Sequence, residues 1–365
     1  MKRNLDEIDD KLHLVIEQLI HLKAAGQHKY DDLSEEDRTA IGVFSRDFGM
    51  GHWDWPQGVG LFGLSYAGPA YEHYICSWAR RQTAAGLPIP NVNTMCPMQT
   101  LMDYPEFEPL TNQWLITLLN DLPRTNEDGI EHTTTGNSKD KLHRNQNQIW
   151  ADTMFMAVLF IAKMARKYHR NDWQAVAHYQ VLLHLKYLLD RPTGLFYHGW
   201  DFTRRSNFNG LFWCRGNAWM TMAIPQYLNI AEASISQADK QYLQGVYRVQ
   251  IDALMSLRDH DTGLWHTILN DSTSYIETSG SAGIVAGLLM GMQMGLLPTN
   301  AYRQLAEDAV ASLLATIGED GTVQGVSAGT PIGETAEHYK NIVIQPMAYG
   351  QAMMICALMQ YKHLD

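Results

Sequence analysis

Asp152 closes the tripeptide Trp150-Ala151-Asp152 and opens a run, Met154 to Ala162, whose apolar residues cover every side of a helical wheel. A helix of that kind is buried or membrane-spanning, and this run is too short to span a bilayer. Two readings compete for the carboxylate at its start. Aspartate is a preferred N-cap, because its side chain accepts from the first free N–H groups of a helix. At the floor of a pocket, stripped of water, the same group is a proton donor or base. Taken alone, the stretch favours the cap.

Other residues able to do chemistry stand near the starts of similar segments: Trp53, Trp55, His132, Trp150, His198, Trp213, Arg215, Trp219 and His266. Rings to stack on, histidines to donate and an arginine suited to a carboxylate suggest an acidic sugar as ligand. Arg215 and Trp219 stand one turn apart on one helix face. Each alone is more often a packing residue, so the argument rests on their clustering. Ordinary glycoside hydrolysis needs a second carboxylate. Asp54, Asp103, Asp201 and Glu277 are candidates, and Glu277 reads equally as a helix cap.

The elements that position these groups follow one recurring order. Amphipathic helices are predicted over 5–25 and 32–43. Loops at 47–58, 86–93, 123–148, 190–212, 259–276 and 318–340 each lead into an apolar helix. These helices fall at 59–67, 97–103, 152–168, 213–228, 277–297 and 341–361, with more polar helices between them. Phrases such as Thr193-Gly194-Leu195-Phe196-Tyr197-His198 and Thr262-Gly263-Leu264-Trp265-His266 recur roughly every sixty residues, reading as short strands in repeated helical hairpins. Alternating burial without polar capping repeats favours a closed all-α ring of six hairpins over an open solenoid, and one domain over 1–365. In such a ring the six loops and the inner-helix N-termini share one end, which favours an anionic ligand. Gly283, Gly287, Gly291 and Gly295 form a smooth ridge, read as an inner helix crowded by its neighbours.

Composition narrows the function. The 365 residues carry a formal net charge of −11 and no basic run, which argues against nucleic acid and anionic membranes as partners. The start, MKRNLDEIDDKLH, is not a secretory signal. Four cysteines without CxxC pairing fit a reducing cytoplasm and argue against zinc. No P-loop, dinucleotide fingerprint, HExxH or GxSxG occurs.

Four stretches carry a family resemblance: WADTMFMAVLFIAKM; HGWDF with WCRGNAWMT; TGLWHTIL followed by SYIETSGSAGI; and SAGTP followed by HYKNIVIQPMAYGQA. From about Trp53 to the C-terminus the chain resembles the unsaturated rhamnogalacturonyl hydrolases of glycoside hydrolase family 105, relatives of the family 88 unsaturated glucuronyl hydrolases. The resemblance implies an (α/α)6 barrel, a small unsaturated oligosaccharide as partner, and no metal or organic cofactor. It implies that an aspartic acid protonates C4 of the C4=C5 enol ether, water adds at C5, and the hemiketal falls apart. Asp152 matches that acid, and His198, Arg215 and Trp219 line the pocket by the same resemblance, with Trp213 nearby and Trp55 on the first loop. His132 and Trp150 join them as candidate substrate contacts. Members often carry a second aspartate before the second inner helix. Here the matching stretch is Asn91-Val92-Asn93-Thr94, so Asn93 is expected to orient sugar or water without sharing a proton. Arg144 is expected to replace a lysine found in some members. A sugar epimerase, an inverting glycosidase on the same barrel and a non-catalytic acidic-sugar-binding protein are the alternative readings.

Overall fold

The computed structural model describes residues 5–22, 32–41, 49–136 and 138–364. Residues 23–25 and 42–43, expected to end the first two helices, and 47–48 of the first loop lie outside the described residues. In chain order the helices begin with α1 (Leu5–His21), α2 (Glu35–Ala40), α3 (Trp55–Ala67), α4 (Glu72–Ala84), α5 (Met98–Leu101) and α6 (Glu108–Asn120). Strands β1 (Thr133–Thr135), β2 (Leu142–Arg144) and β3 (Gln148–Trp150) precede a π-helical turn, Met154–Val158, which continues as α7 (Leu159–Lys167). Then come α8 (Asn171–Leu188), β4 (Gly199–Asp201), α9 (Cys214–Ile230), α10 (Gln237–Ser256), α11 (Thr278–Gln293), α12 (Thr299–Leu314), α13 (Ala336–Lys340) and α14 (Ala348–Lys362).

The apolar helices α3, α5, α7, α9, α11 and α14 pack each on the next, and α14 returns to pack on α3. That contact closes the ring, and the (α/α)6 barrel expected from the periodicity and the resemblance is the fold. Burial follows the sequence pattern: α11 is buried from Thr278 to Met292, whereas α10 buries one stripe through Leu243, Tyr247 and Leu254. The N-terminal α1 covers the outside of α14. Gln351 of α14 donates to the Val15 carbonyl at 3.2 Å and to the Gly321 carbonyl at 2.9 Å. No described helix is long and apolar enough to cross a membrane.

The repeated loop phrases are tight turns. Asp190 and Asp259 accept, through their carbonyls, from the N–H groups of Gly194 and Gly263 at 2.8 and 2.9 Å. Both glycines have positive φ, 79° and 70°, where a side chain would be strained.

Three helix boundaries differ from expectation. Residues 341–347 are not helical: Asn341 closes α13, and the chain beyond it is extended, with Ala328 N–H donating to the Val343 carbonyl at 2.7 Å and Gln345 N–H to the Val326 carbonyl at 2.8 Å. The β-branched run Ile342-Val343-Ile344 suits that pairing, and α14 starts only after Pro346. Helix α3 starts earlier than expected because Asp54 accepts from Trp55 N–H at 2.8 Å and Pro56 fits a first turn. Helix α11 stops at Gln293, where Gly295 (φ 68°) lets Leu296 N–H reach the Gly291 carbonyl at 2.8 Å.

The glycine ridge of α11 is a close-approach surface. A Cβ on Gly287 would lie 2.5 Å from the Thr221 carbonyl oxygen of α9, and one on Gly291 2.3 Å from the Tyr247 hydroxyl. Backbone cannot yield as a flexible side chain does, so Gly287→Ala is expected to destabilise the barrel by about 1–3 kcal/mol. A lower denaturant midpoint at unchanged slope in chemical unfolding checks this.

Candidate active site

Strand β3 and its partner β4 bring the third and fourth hairpins together. They pair antiparallel, with Trp150 opposite Gly199 and Ile149 opposite Trp200. Ala151 N–H continues the ladder by donating to the His198 carbonyl at 2.8 Å. Asp152 therefore enters the start of the third inner helix directly beside His198. Its Oδ2 lies 3.5 Å from His198 Nε2, and its side chain is 14 % exposed. Just beyond, Leu159 N–H bonds to the Met154 carbonyl five residues back, the signature of the π turn. That wider turn frees the Phe155 carbonyl, which accepts from Gln99 Nε2 of α5.

From Asp152 a chain of ring contacts runs around the barrel end. His132 lies flat on Trp150, with centroids 4.2 Å apart and planes 7° apart, and its Nδ1 is 2.9 Å from Thr153 Oγ1. Trp150 meets His198 edge-on at 5.3 Å, and His198 stacks on Trp213 at 4.0 Å. The Arg215 guanidinium sits 4.6 Å over Trp213 and 4.8 Å over Tyr349. Tyr349 stacks on Trp55 at 4.5 Å, and Trp55 meets Trp219 edge-on at 6.1 Å. The starts of α3, the π turn, α9 and α14 thus supply one contiguous cluster.

Among the described residues, several buried polar atoms in this cluster have no hydrogen-bond partner: Trp213 Nε1, Trp219 Nε1 and Arg215 Nε, and also Asp152 Oδ2 and His198 Nε2, which face each other at 3.5 Å. Four nitrogens and one carboxylate oxygen are thus unspent. Buried polar groups normally find partners, so this donor excess suits a ligand rich in oxygen.

The electrostatics favour an ionised acid beside neutral imidazoles. Burial raises the Asp152 carboxyl, but the His198 imidazole 3.5 Å away, with His132 behind it, outweighs that and holds the group below its usual value. Burial lowers His198, only partly offset by Asp152, and holds His132 down to about 3. His198 Nδ1 lies 3.0 Å from the Tyr339 hydroxyl, which also accepts from Gly333 N–H at 3.4 Å. From this network Tyr339 donates to Nδ1, leaving the ring proton on Nε2, toward Asp152.

The profile of Glycosyl Hydrolase Family 88 matches residues 37–364. The chain belongs to glycosyl hydrolase family 88. It is 31% identical over 334 residues to the unsaturated rhamnogalacturonyl hydrolase YesR of Bacillus subtilis (strain 168), covering 88% of this chain and 92% of that one. It is 25% identical over 239 residues to an unsaturated 3S-rhamnoglycuronyl hydrolase of Alteromonas sp. (strain LOR), covering 63% of this chain and 56% of that one. Among solved structures, a possible member of the GH105 family from Salmonella enterica superposes with a TM-score of 0.89 at 32% identity, covering 100% and 95% of the two chains.

Not every expected residue of this family 88 chain lies in the cluster. Arg144 makes a two-pronged pair with Glu131, at 2.7 and 2.8 Å, and its side chain is 48 % exposed. Asn93 is buried in a 3-10 turn, Asn93–Met95, that packs on β1 and on the π turn. The terminal nitrogens of Arg215, expected to hold a carboxylate, bond instead to Ser279, Ser327, Ala328 and Thr330. Trp53 stacks in the core on Trp78 at 5.2 Å, and His266 bonds within its own loop.

Of the acids considered as a second carboxylate, three are engaged elsewhere and the fourth lies at the other end of the barrel. Asp54 caps α3, and Glu277 caps α11 by accepting from Ser279 and Gly280 N–H. Asp201 accepts from the N–H groups of Thr203 and Arg204, at 2.8 and 2.9 Å. Asp103 lines a separate cavity of about 450 Å³ with Lys163 and Gln226, at the inner-helix C-termini. No capping bond from Asp152 accompanies the third inner helix. Tyr339 and Tyr349 are the residues sequence reasoning missed. Both stood inside a quoted stretch, HYKNIVIQPMAYGQA, but no spacing rule pointed to their rings. Among the described residues, no group of three or more His, Cys, Asp or Glu side chains could hold a metal ion.

Proposed function

We propose that this glycoside hydrolase cleaves oligosaccharides capped by an unsaturated uronate, above all unsaturated galacturonyl-rhamnose, with Asp152 as the acid. The observation that carries the reading is a lone carboxylate with an unspent oxygen, set among rings and N–H donors, while the other candidate acids cap helices, hold a turn or line the cavity at the other barrel end. A conventional glycosidase needs two carboxylates flanking the bond. Protonation of an enol ether needs one. The C4=C5 electron pair takes the Asp152 proton at C4, and positive charge develops at C5 and the ring oxygen. Water adds at C5 and returns a proton to the carboxylate. The resulting hemiketal opens and the second sugar leaves. The relatives' names, unsaturated rhamnogalacturonyl and 3S-rhamnoglycuronyl hydrolases, support the substrate class.

His132, Trp150, His198, Trp213, Trp219 and Trp55 serve in this reading as the sugar-facing wall, and Asn93 lies outside it in the turn packed on β1 and the π turn. Arg215 acts mainly by holding Trp213 and Tyr349 in place, while its charge favours a uronate nearby. The test is loss of the ultraviolet absorbance of the conjugated double bond when enzyme meets unsaturated pectin disaccharides. If no unsaturated pectin, glycosaminoglycan or ulvan disaccharide loses absorbance, the reading fails. Calorimetric binding without consumption would indicate a sugar-binding protein instead.

A pH dependence follows from the depressed Asp152 pKa. In the free enzyme the carboxylate is ionised, and a donor must be protonated. A bound uronate adds negative charge and removes water, both of which raise the pKa. The limb that requires a protonated group should therefore lie at higher pH in kcat than in kcat/KM. Coincident limbs would remove substrate-driven protonation from the mechanism.

A further inference from the structure

We propose that the outer face of the β3–β4 ribbon carries a second saccharide site, for acidic oligosaccharides, separate from the pocket of Asp152. Directly opposed residues of an antiparallel pair share a face, and neighbours along the strand point to opposite faces. Trp150 and Gly199 face the catalytic cluster, so Trp200, opposite Ile149, faces away from it. On that far side a hollow of about 530 Å³ is lined by Asn126, Glu127, Tyr187, Trp200, Phe202 and Arg205.

The lining has the chemistry of a sugar platform. Tyr187 packs on Trp200 at 5.2 Å with planes 32° apart, and on Phe202 at 4.7 Å with planes 70° apart. All three rings are half-buried, so each keeps surface to offer. Ring faces of this kind take the C–H faces of sugars, and nearby polar groups fix orientation. Among the described residues no partner engages the Asn126 amide, the Trp200 indole N–H or the Arg205 guanidinium. Glu127, in contrast, is already neutralised: Lys186 Nζ lies 2.6 Å from it and the Tyr187 hydroxyl donates to it. The unspent charge is therefore the arginine, which selects a carboxylate-bearing sugar over a neutral one.

Arg205 is held there by its turn. Asp201 and Ser206 exchange backbone hydrogen bonds at 2.9 and 3.2 Å, and Asp201 Oδ1 accepts from Thr203 and Arg204 N–H. Arg205 carries φ 51°, a conformation costly for a residue with a side chain and retained where the surroundings impose it. Its neighbour Arg204 is paired with Glu334, whereas Arg205 has no ion-pair partner among the described residues. Rings that merely shielded the ribbon would need neither the arginine nor the amide.

The choice of ligand rests on the proposed uronate substrate, but the test separates the two claims. Saturated oligogalacturonides carry no C4=C5 bond to hydrolyse and serve as the probe, titrated into Asp152→Asn protein by calorimetry. Binding should persist when the unsaturated disaccharide fills the catalytic pocket, and should weaken at least tenfold in Trp200→Ala and in Arg205→Ala. Arg205→Ala in otherwise native enzyme should keep kcat/KM on the disaccharide within twofold. Arg205 is exposed on a turn, so that variant decides the matter even if Trp200→Ala misfolds. Absent binding, unchanged affinity in Arg205→Ala, full displacement by the disaccharide, or equal binding of a neutral glucan oligosaccharide would each overturn the proposal. Absorbance loss on the unsaturated disaccharide is read separately and bears only on the catalytic claim.

Discussion

Asp152→Asn is expected to lower kcat on an unsaturated uronyl disaccharide by about 10²–10⁴, the range for loss of a positioned general acid. The change is nearly isosteric, and the carboxylate makes no helix cap, so the melting temperature should stay close to that of the native chain. That pairing separates the chemical role from a structural one. A cap residue behaves oppositely: its loss costs about 1 kcal/mol of stability and leaves chemistry intact. Substantial retained turnover would return Asp152 to a structural role. The size of the effect follows from the absence of a substitute. Asp54, Glu277, Asp201 and Asp103 are each held away from the pocket by a cap, a turn or the far-end cavity.

The second large effect is on folding. Arg215 and Glu277 form a pair 3.6 Å apart in which both side chains are 0% exposed. The guanidinium also donates to Ser327 Oγ at 2.6 Å, to the Ala328 carbonyl at 2.9 Å and to Thr330 Oγ1 at 2.9 Å. Arg215→Met leaves Glu277 buried without its cation and is expected to destabilise the fold by about 3–5 kcal/mol. Glu277 would keep its bonds to Ser279 and Gly280, which limits the loss without replacing the charge. Adding Glu277→Gln should recover part of the stability, so a double-mutant cycle by chemical denaturation should show clear coupling. Strict additivity would mean that the two side chains act independently. Arg215→Lys is no mild change either, since an ammonium cannot match the planar fork that reaches four residues.

What the sequence made legible follows from range. Asp152, Trp150, Trp213 and Trp219 lie within short phrases that open inner helices, and helical spacing alone assigns them to the loop end. His198 follows from the repeated turn phrase. Its partner Tyr339 is 141 residues away, and only the closed ring brings them together. Arg215 could be singled out as a cation, but its acceptors include the carbonyls of Ser327 and Ala328, which carry no signature in residue type. The Arg144–Glu131 pair was invisible too, because nothing in their shared loop marks the two as partners. The π turn left no trace in the apolar run, since an extra residue in a fully buried helix changes no polarity pattern. The run 341–347 was read as helix because its apolar residues fit either period, and its strand partner lay in a loop.

The return of α14 onto α3 also makes this pocket depend on the closure of the ring. Tyr349, which supports Trp55 and Arg215, belongs to the final helix, and that helix is covered by the first, α1. A chain lacking α14 would hold Asp152, His198 and Trp213 yet have no wall on the far side. Joining first and last segments makes ring closure the most non-local step in folding, and such steps are slow. Binding competence is therefore acquired late and all at once. A lesion in α14 acts on the active site as directly as one beside Asp152.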